Sequence, residues 1–329
     1  MLCILGSAVM VMITPSLTLN SMLYPPRIDS SYWAQAELLY QVQLDKGLAD
    51  SGKVFMFSPG DGGLKFDPVS HTTADGTIIR GWISYDTTEA TAPLLLILTD
   101  ISNGAIQFLP SMVNFTKRGF HVLLMDMRGQ GRSDGKLYHP GYAAGDIISL
   151  LQEIKKSPLI DQAAILGIGT GAGIALATVT LAPFIVDALV LQNPPASLAG
   201  RIRQQSIDEW GWIINPFLPA IVRAYEYKTG INTSDFDYSK MISRMSIPQM
   251  YVAASYRTIR EHNQTIALYR ASEYFRKRLY IERESMGLEP GVPNSKEYYD
   301  KISAFINSSF PGNYKRSRTG KLAEVRGKW

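Results

Sequence analysis

The sequence predicts an α/β protein built on a mainly parallel sheet with helices on both faces. Two observations support this class: short, almost wholly apolar runs alternate with longer helix-like stretches, and turn residues separate them. Strands that are apolar throughout are typical of parallel sheets, because helices cover both faces of such sheets. The chain has 329 residues, of which 46% are hydrophobic, and this is sufficient for one large core.

The chain begins with an apolar segment, Met1 to Leu19, and its first charged residue is Arg27. This length is just enough to cross a bilayer. No basic n-region and no small-residue cleavage site marks a removable signal peptide, so residues 1–23 are predicted to be an uncleaved membrane anchor. A cleaved signal peptide with a secreted domain is the first alternative, and a helix buried against the domain or a partner is the second. The charges give no orientation.

A helical connector is predicted over residues 24–53, where the spacing of apolar residues favours a short helix from Tyr32 to Leu48. The globular domain is predicted over 54–312. A basic tail, 313–329, is expected to be solvated, and it lacks the aromatic residues that nucleic-acid binding would need beyond Tyr314 and Trp329, so no nucleic-acid partner is expected.

Within the domain, Asp75-Gly76 between alternating residues predicts an antiparallel hairpin. The apolar runs then predict a series of buried strands. These are Leu94 to Leu98, His121 to Met125, Ala163 to Leu166, Ala188 to Leu191, Met250 to Ala254 and Leu279 to Ile281. The interval of about 200–246 is longer than a normal crossover and is predicted to form a short helical lid over the carboxyl ends of the strands.

The stretch HVLLMDMRGQGRSDGK resembles the strand and following loop of the α/β-hydrolases. The matching residues are Asp126, Arg128, Gly129, Gly131 and Ser133. AAILGIGTGAGIALA is similar to the nucleophile strand, elbow and helix of that superfamily, and VDALVLQNPPASL to the next strand. The likeness covers Lys65 to Phe310. It is strongest to membrane-anchored serine hydrolases related to prolyl-peptidase and acyl-transferase folds, and it implies the α/β-hydrolase fold.

The predicted elbow lacks its nucleophile. In the G-x-S-x-G elbow, two glycines permit a sharp strand-to-helix turn that exposes the serine between them. Here the flanking glycines are Gly167 and Gly171, and the central position is Gly169, which has no side chain that could attack a carbonyl group. A register centred on Thr170 would place Ile168 where the turn needs a small residue.

The resemblance also locates the acid and the histidine of the triad, and neither is present. The acid should follow the strand QMYVAAS, where Tyr256 to Ile259 contain no carboxylate and Glu261 is the nearest one. The histidine should follow RLYIERE, where Ser285 to Leu288 stand instead. The histidines of the chain are all expected to be structural or exposed. They are His71, His121, His139 and His262.

Asp100 stands in the turn TDISNG, where related hydrolases form the oxyanion hole, and a carboxylate there would repel an oxyanion. We expect Asp100 to be a loop residue that accepts hydrogen bonds. The elbow nevertheless presents N–H groups at a helix N-terminus, which predicts a candidate anion or ligand pocket formed by Asp100, Gly169 and Thr170.

A dinucleotide site is a less favoured alternative, because Gly167 to Ala172 also fits the pattern G-x-G-x-x-A. The motif lies in mid-chain, however, and the next strand ends in Gln192-Asn193-Pro194 without the acid that would bind a ribose. The single cysteine, Cys3, allows no intramolecular disulfide. No clustered metal ligands occur, so neither a metal nor a cofactor is expected.

The sequence therefore predicts a catalytically inactive α/β-hydrolase-like protein that serves as a membrane-attached structural or regulatory subunit, with no catalytic residue. A protein partner is expected, such as an integral-membrane complex. The candidate partner surface lies in the lid at Trp210, Trp212 and Phe217, because interface cores are rich in aromatic residues. A ligand-binding pseudoenzyme and a weak esterase or lipid hydrolase are the alternatives.

Overall fold

The computed structural model describes residues 30–45, 55–85, 91–100, 104–135, 140–160, 162–254, 259–282 and 295–310. The predicted anchor, 1–23, and the predicted basic tail, 313–329, lie outside these residues. None of the helices in the described part of the chain is both long and apolar enough to span a bilayer.

The described chain contains eight strands and nine α-helices. The strands are β1 (Phe66–Thr72), β2 (Ile78–Ser84), β3 (Leu94–Leu98), β4 (His121–Asp126), β5 (Ala163–Ile168), β6 (Ala188–Gln192), β7 (Gln249–Ala254) and β8 (Lys277–Glu282). The helices are α1 (Ser30–Asp45), α2 (Leu109–Thr116), α3 (Pro140–Ile154), α4 (Thr170–Leu181), α5 (Leu198–Trp210), α6 (Leu218–Thr229), α7 (Tyr238–Ser243), α8 (Ile259–Ala271) and α9 (Lys296–Ser309). Short 3₁₀ segments occur at Pro59–Gly62, Ala105–Phe108, Gly211–Phe217 and Thr233–Phe236.

All eight strands form one sheet in the order β1-β2-β4-β3-β5-β6-β7-β8. The pairs β1–β2 and β2–β4 are antiparallel, and the remaining pairs are parallel. The predicted hairpin at Asp75-Gly76 is present, and Gly76 has the positive φ of 81° that such a tight turn favours. The predicted mainly parallel sheet with an antiparallel start is confirmed.

The sheet buries apolar side chains on both faces, which explains why the central strands β3 and β5 carry no polar side chain. Along β3, Leu94, Leu96 and Leu98 pack into one cluster with α3, α4 and the lid. The alternate residues, Leu95 and Ile97, pack into a second cluster with α2 and α9. Because successive strand residues point to opposite faces, a polar residue at any of these positions would be buried without water.

Helix α1 lies within the region predicted to be a connector, and it packs on the domain. Trp33 is buried in the second cluster, and its ring centroid lies 4.9 Å from that of Phe55. Tyr40 is also buried, with its ring centroid 5.7 Å from Phe55. Aromatic contacts of this kind are worth about 0.5–1.5 kcal/mol beyond area burial, so the helix is attached to the core through its aromatic residues.

The predicted lid is helical: α5, α6, α7 and two 3₁₀ segments connect β6 to β7. Its aromatic residues divide into two groups. Trp210 and Phe217 are half-buried against the first apolar cluster, and they close the lid onto the domain. Trp212 is 79% exposed, so of the three predicted partner residues it is the one most accessible to another molecule.

A buried ion pair fixes the loop after β4. Arg128 donates to both carboxylate oxygens of Asp146, at 2.6 and 2.7 Å, and also to Asp75. Arg128 and Asp146 are 8% and 4% exposed, so this pair is largely shielded from water. The guanidinium group of Arg128, together with the hydroxyl of Thr73, holds the pKa of the Asp75 carboxyl well below its usual range. The pair thus connects the β4 loop, the β1–β2 hairpin and α3.

We predict that Arg128→Gln lowers the free energy of unfolding by about 3–5 kcal/mol, because it leaves Asp146 buried without its cation. The matched control is Arg80→Gln, which removes a more exposed ion pair with Asp134 and should cost at most about 1 kcal/mol. Urea unfolding of both variants measures the difference. Equal losses would show that burial does not determine the contribution of Arg128.

Candidate active site

Strand β5 and helix α4 meet in a sharp turn at Gly169, which has φ 56° and ψ −119°. The N–H of Gly169 donates to the carbonyl oxygen of Gln192, at 2.9 Å, which ties the turn to β6. The glycines on either side are needed for close packing. A Cβ at Gly167 would lie 2.6 Å from Cα of Ala172, and one at Gly171 would lie 2.2 Å from the carbonyl oxygen of Leu98. This is the strand–turn–helix geometry of a nucleophile elbow.

The volume in front of the elbow tip is filled by Asp100, which follows the end of β3. A Cβ placed on Gly169 would lie 2.3 Å from Oδ2 of Asp100 and 2.6 Å from its Cγ. Asp100 is 6% exposed, so its carboxylate is held in the protein interior. A neighbouring strand therefore supplies a carboxylate to the place where a serine side chain at residue 169 would project.

The other oxygen of this carboxylate, Oδ1, accepts hydrogen bonds from three donors in the described part of the chain. The hydroxyl of Thr170 donates to it at 2.5 Å, which is the distance of a strong charge-assisted hydrogen bond. The N–H of Thr170 lies 3.4 Å away at the first turn of α4, where the helix dipole favours a negative charge. Arg201 of the lid helix α5 places Nη2 at 3.4 Å and supplies a positive charge.

The loop DMRGQGRS, residues 126–133, holds Asp100 in this position because a side chain of the loop bonds to the backbone of Asp100. Nε2 of Gln130 donates to the carbonyl oxygen of Asp100 at 2.9 Å, while Oε1 of Gln130 accepts the N–H of Met127 at 3.0 Å. Sequence reasoning missed Gln130, because it occupies a variable position of the recognised motif. The signal in the sequence that could have identified it is a polar side chain between two glycines, Gly129 and Gly131, just after a strand.

Asp126 anchors the far end of the segment that carries Asp100. Its Oδ1 accepts the N–H of Ala105 at 2.8 Å, and burial raises the pKa of Asp126 above its usual value. Arg132 approaches the same carboxylate and stacks over Trp82, with its guanidinium carbon 3.5 Å from the ring centroid. Gly131 is required here, since a Cβ would lie 2.4 Å from the carboxylate of Asp126. The motif residues thus act as a frame for the Asp100 turn.

A family model described as serine aminopeptidase, S33, matches residues 105–265, which include the elbow and the lid. Two solved structures with similar folds are esterases. An esterase of Pyrococcus furiosus aligns with a TM-score of 0.60 at 15% identity, covering 88% of this chain and 97% of its own. An acetyl xylan esterase from Paenibacillus sp. R4 aligns with a TM-score of 0.59 at 17% identity, covering 89% and 98%.

The described part of this chain has the α/β-hydrolase fold. A curated relative, an uncharacterized protein of Mycobacterium tuberculosis (strain ATCC 25618 / H37Rv), is 29% identical over 147 residues. That match covers 45% of this chain and 49% of the relative. The chain therefore spans about half the length of the curated relatives it matches.

The prediction that this protein is not an enzyme is wrong. The matched family model is one of serine aminopeptidases, and the solved structures with this fold include esterases. That prediction rested on the absence of a serine side chain at Gly169. The tertiary structure brings the Asp100 carboxylate to that place from a different strand.

The structure brings the predicted pocket residues Asp100, Gly169 and Thr170 together, but Asp100 itself faces the helix N-terminus. Binding of an external anion there stays a prediction, and the carboxylate would repel it. The dinucleotide alternative meets the same obstacle, because a pyrophosphate would have to occupy the position of Asp100. The residue with the clearest chemical capacity at the elbow is therefore Asp100.

The described histidines have structural environments. His71 bonds to Glu153 and Ser149, at 2.8 and 2.7 Å, and so connects β1 to α3. His121 is buried at the start of β4, edge-on to Tyr85, and His262 lies on α8. His139 and both loops expected to carry the acid and the histidine, at 255–258 and 283–294, lie outside the described residues. Glu261, the substitute acid, is in the first turn of α8.

We predict that Gly169→Ala destabilises the protein more than its backbone conformation alone requires, because its Cβ collides with Asp100. The expected loss is about 1–3 kcal/mol for overpacking, in addition to about 1–2 kcal/mol for the positive φ. The double variant Gly169→Ala/Asp100→Ala lacks this collision. Its loss of unfolding free energy should therefore be about 1–2 kcal/mol smaller than the sum of the two single losses.

The matched control is Gly76→Ala, which also has a positive φ but whose Cβ would meet no atom within 4 Å. Gly76→Ala should lower the free energy of unfolding only by the cost of the positive φ. In the double variant with Asp100→Ala, the two losses should add. Urea unfolding of the three single variants and the two double variants measures both cycles. Strict additivity at Gly169 would mean that Asp100 does not occupy the elbow in solution.

Proposed function

We propose that this protein hydrolyses small carboxylic esters, with the Asp100 carboxylate as the reacting group at the elbow. The observation that carries this proposal is the position of Oδ2 of Asp100, 2.3 Å from where a Cβ of residue 169 would stand. The superfamily supports the reaction class, since proteins of this fold include the esterases of Pyrococcus furiosus and Paenibacillus sp. R4.

In the proposed reaction, Asp100 acts as a general base for water. A water molecule next to Oδ2 transfers a proton to the carboxylate while its oxygen attacks the ester carbonyl carbon. The tetrahedral intermediate then expels the alcohol oxygen, the carbon–oxygen bond breaks, and the proton held by Asp100 passes to the departing alkoxide. The products are a carboxylic acid and an alcohol, and the carboxylate is regenerated.

The groups around Oδ1 hold the base in one orientation. Thr170 acts as a positioning residue, because its hydroxyl is committed to Oδ1 at 2.5 Å and its side chain is buried. Arg201 and the amino end of α4 place positive charge beside the reaction centre. These charges also favour the negative charge that develops on the carbonyl oxygen.

Esters are favoured over amides as substrates because of the leaving group. An alkoxide from an activated ester departs without full protonation, whereas an amine must be protonated by a general acid. Both ring nitrogens of His71 are bonded to side chains of α3, so this histidine does not serve as that acid. General-base assistance alone supplies about 10²–10⁴-fold acceleration, so a slow esterase is expected.

We predict that Asp100→Asn lowers the kcat for p-nitrophenyl acetate by at least about 100-fold, because an amide cannot accept the proton of water. The control is Asp208→Asn, which changes an exposed carboxylate of α5 that bonds to Gln204. Steady-state hydrolysis of p-nitrophenyl acetate by the wild type and both variants measures the difference.

Fluorophosphonate treatment separates this activity from a contaminating serine hydrolase, since the elbow has no serine to label. The ester activity should survive treatment, and loss of activity would refute the proposal, as would full activity in Asp100→Asn. Thr170→Ser should retain most of the kcat, while Thr170→Val should reduce it with little change in KM. This split distinguishes orientation of the base from substrate binding.

We also propose, from the sequence alone, that residues 1–23 attach the protein to a membrane and that the lid binds a protein partner. The exposed indole of Trp212 supports a contact at the lid surface, because a large apolar side chain loses unfavourable contact with water when a partner covers it. Neither proposal changes the assignment of Asp100.

A further inference from the structure

A cavity of about 320 Å³ lies between the edge strand β8 and helix α9. Its lining residues are Met250, Arg278, Leu279, Tyr280, Lys301, Phe305 and Ser308. The site is separate from the elbow: Met250 and Arg278 are the second residues of β7 and β8, whereas Gly169 follows the carboxyl end of β5. The two sites therefore belong to opposite ends of the parallel strands.

Helical and strand periodicity produce this cavity. Lys301, Phe305 and Ser308 follow one another at intervals of four and three residues, so they share a face of α9. On β8, Arg278 and Tyr280 lie on one face because they are two residues apart. The helix side chains and the strand side chains thus form two walls, with Met250 of β7 between them.

The interior of the cavity is apolar and its cationic groups lie at the outside. Met250, Tyr280 and Phe305 are each less than 9% exposed. Lys301 places its ammonium group 4.5 Å from the Tyr280 ring centroid, and it also pairs with Glu297 on the surface of α9. Arg278 is exposed, and no described acidic side chain pairs with its guanidinium group.

We propose that this cavity binds a medium-chain carboxylate, with the hydrocarbon chain against Met250 and Phe305 and the carboxylate at Arg278 and Lys301. An apolar slot with cations at its mouth is complementary to an amphipathic anion. At about 30 Å³ for each atom, the cavity holds on the order of ten non-hydrogen atoms, which is the size of octanoate. The proposal is independent of the chemistry assigned to Asp100.

Isothermal titration of the full-length protein with sodium octanoate tests this site. We expect a Kd on the order of 0.1 mM from a ligand of this size. Arg278→Gln should weaken octanoate binding about tenfold, because a charge-assisted hydrogen bond is lost. Binding of 1-octanol, which has the same chain without the charge, should be unchanged in that variant and weaker than octanoate in the wild type.

Phe305→Trp should abolish binding of both ligands by filling the cavity, and Lys301→Gln should weaken octanoate alone. The matched control is Lys296→Gln, an exposed lysine on the same helix that pairs with Asp300 and does not line the cavity. Thermal unfolding verifies that each variant is folded. If Phe305→Trp fails this check, the Arg278→Gln and Lys301→Gln titrations alone decide the result.

Asp100→Asn distinguishes the two sites, and it should bind octanoate with unchanged affinity. A weaker or stronger Kd in that variant would place octanoate at the elbow and overturn the proposal. Equal binding of octanoate by the wild type, Arg278→Gln and Lys301→Gln would also overturn it, and so would an absence of binding up to 10 mM, which is about 100 times the expected Kd.

Discussion

Asp100 lies in the protein interior with one carboxylate oxygen 2.5 Å from the Thr170 hydroxyl, and the surrounding loops are arranged around this contact. A buried charge is costly unless hydrogen bonds and opposite charges compensate for it. Here the compensation comes from Thr170, Arg201 and the amino end of α4. Gly169 makes the arrangement sterically possible, because any Cβ at that position would collide with the carboxylate.

The loop after β4, residues 126–133, supports the contact between Asp100 and Thr170 through hydrogen bonds to the backbone near Asp100. Gln130 fixes the backbone of Asp100, and Asp126 fixes the N–H of Ala105 beyond it. Arg128 ties the same loop to α3 through the buried pair with Asp146. Each of these bonds is directed and largely shielded from solvent, so the loop holds the carboxylate in a fixed position. In the reaction that we propose, such preorganisation contributes to catalysis.

The elbow and the cavity between β8 and α9 lie at opposite ends of the parallel strands. Parallel strands present their carboxyl ends together, and the lid helix α5 reaches the elbow there through Arg201. The cavity instead lies where β8 is the last of the described strands in the sheet and Lys301 of α9 lies over the ring of Tyr280. One fold thus provides two chemically different surfaces, one centred on a carboxylate and the other on cations.

The sequence by itself determined the fold, because strands covered on both faces are mostly apolar, and the six apolar runs predicted as strands lie within β3 to β8. It also determined the elbow, since the turn at Gly169 and the close approaches at Gly167 and Gly171 can be made only by glycine. Both features depend on local steric rules and on burial, which leave a direct record in the order of residues.

The tertiary structure alone decided what occupies the elbow. Asp100 and Thr170 are 70 residues apart in the chain, and Gln130 and Arg201 come from two further segments. No periodicity connects them, because their contact results from the strand order that places β3 beside β5. For the same reason an empty glycine at the elbow suggested an inactive protein, although the neighbouring strand supplies a carboxylate to that position.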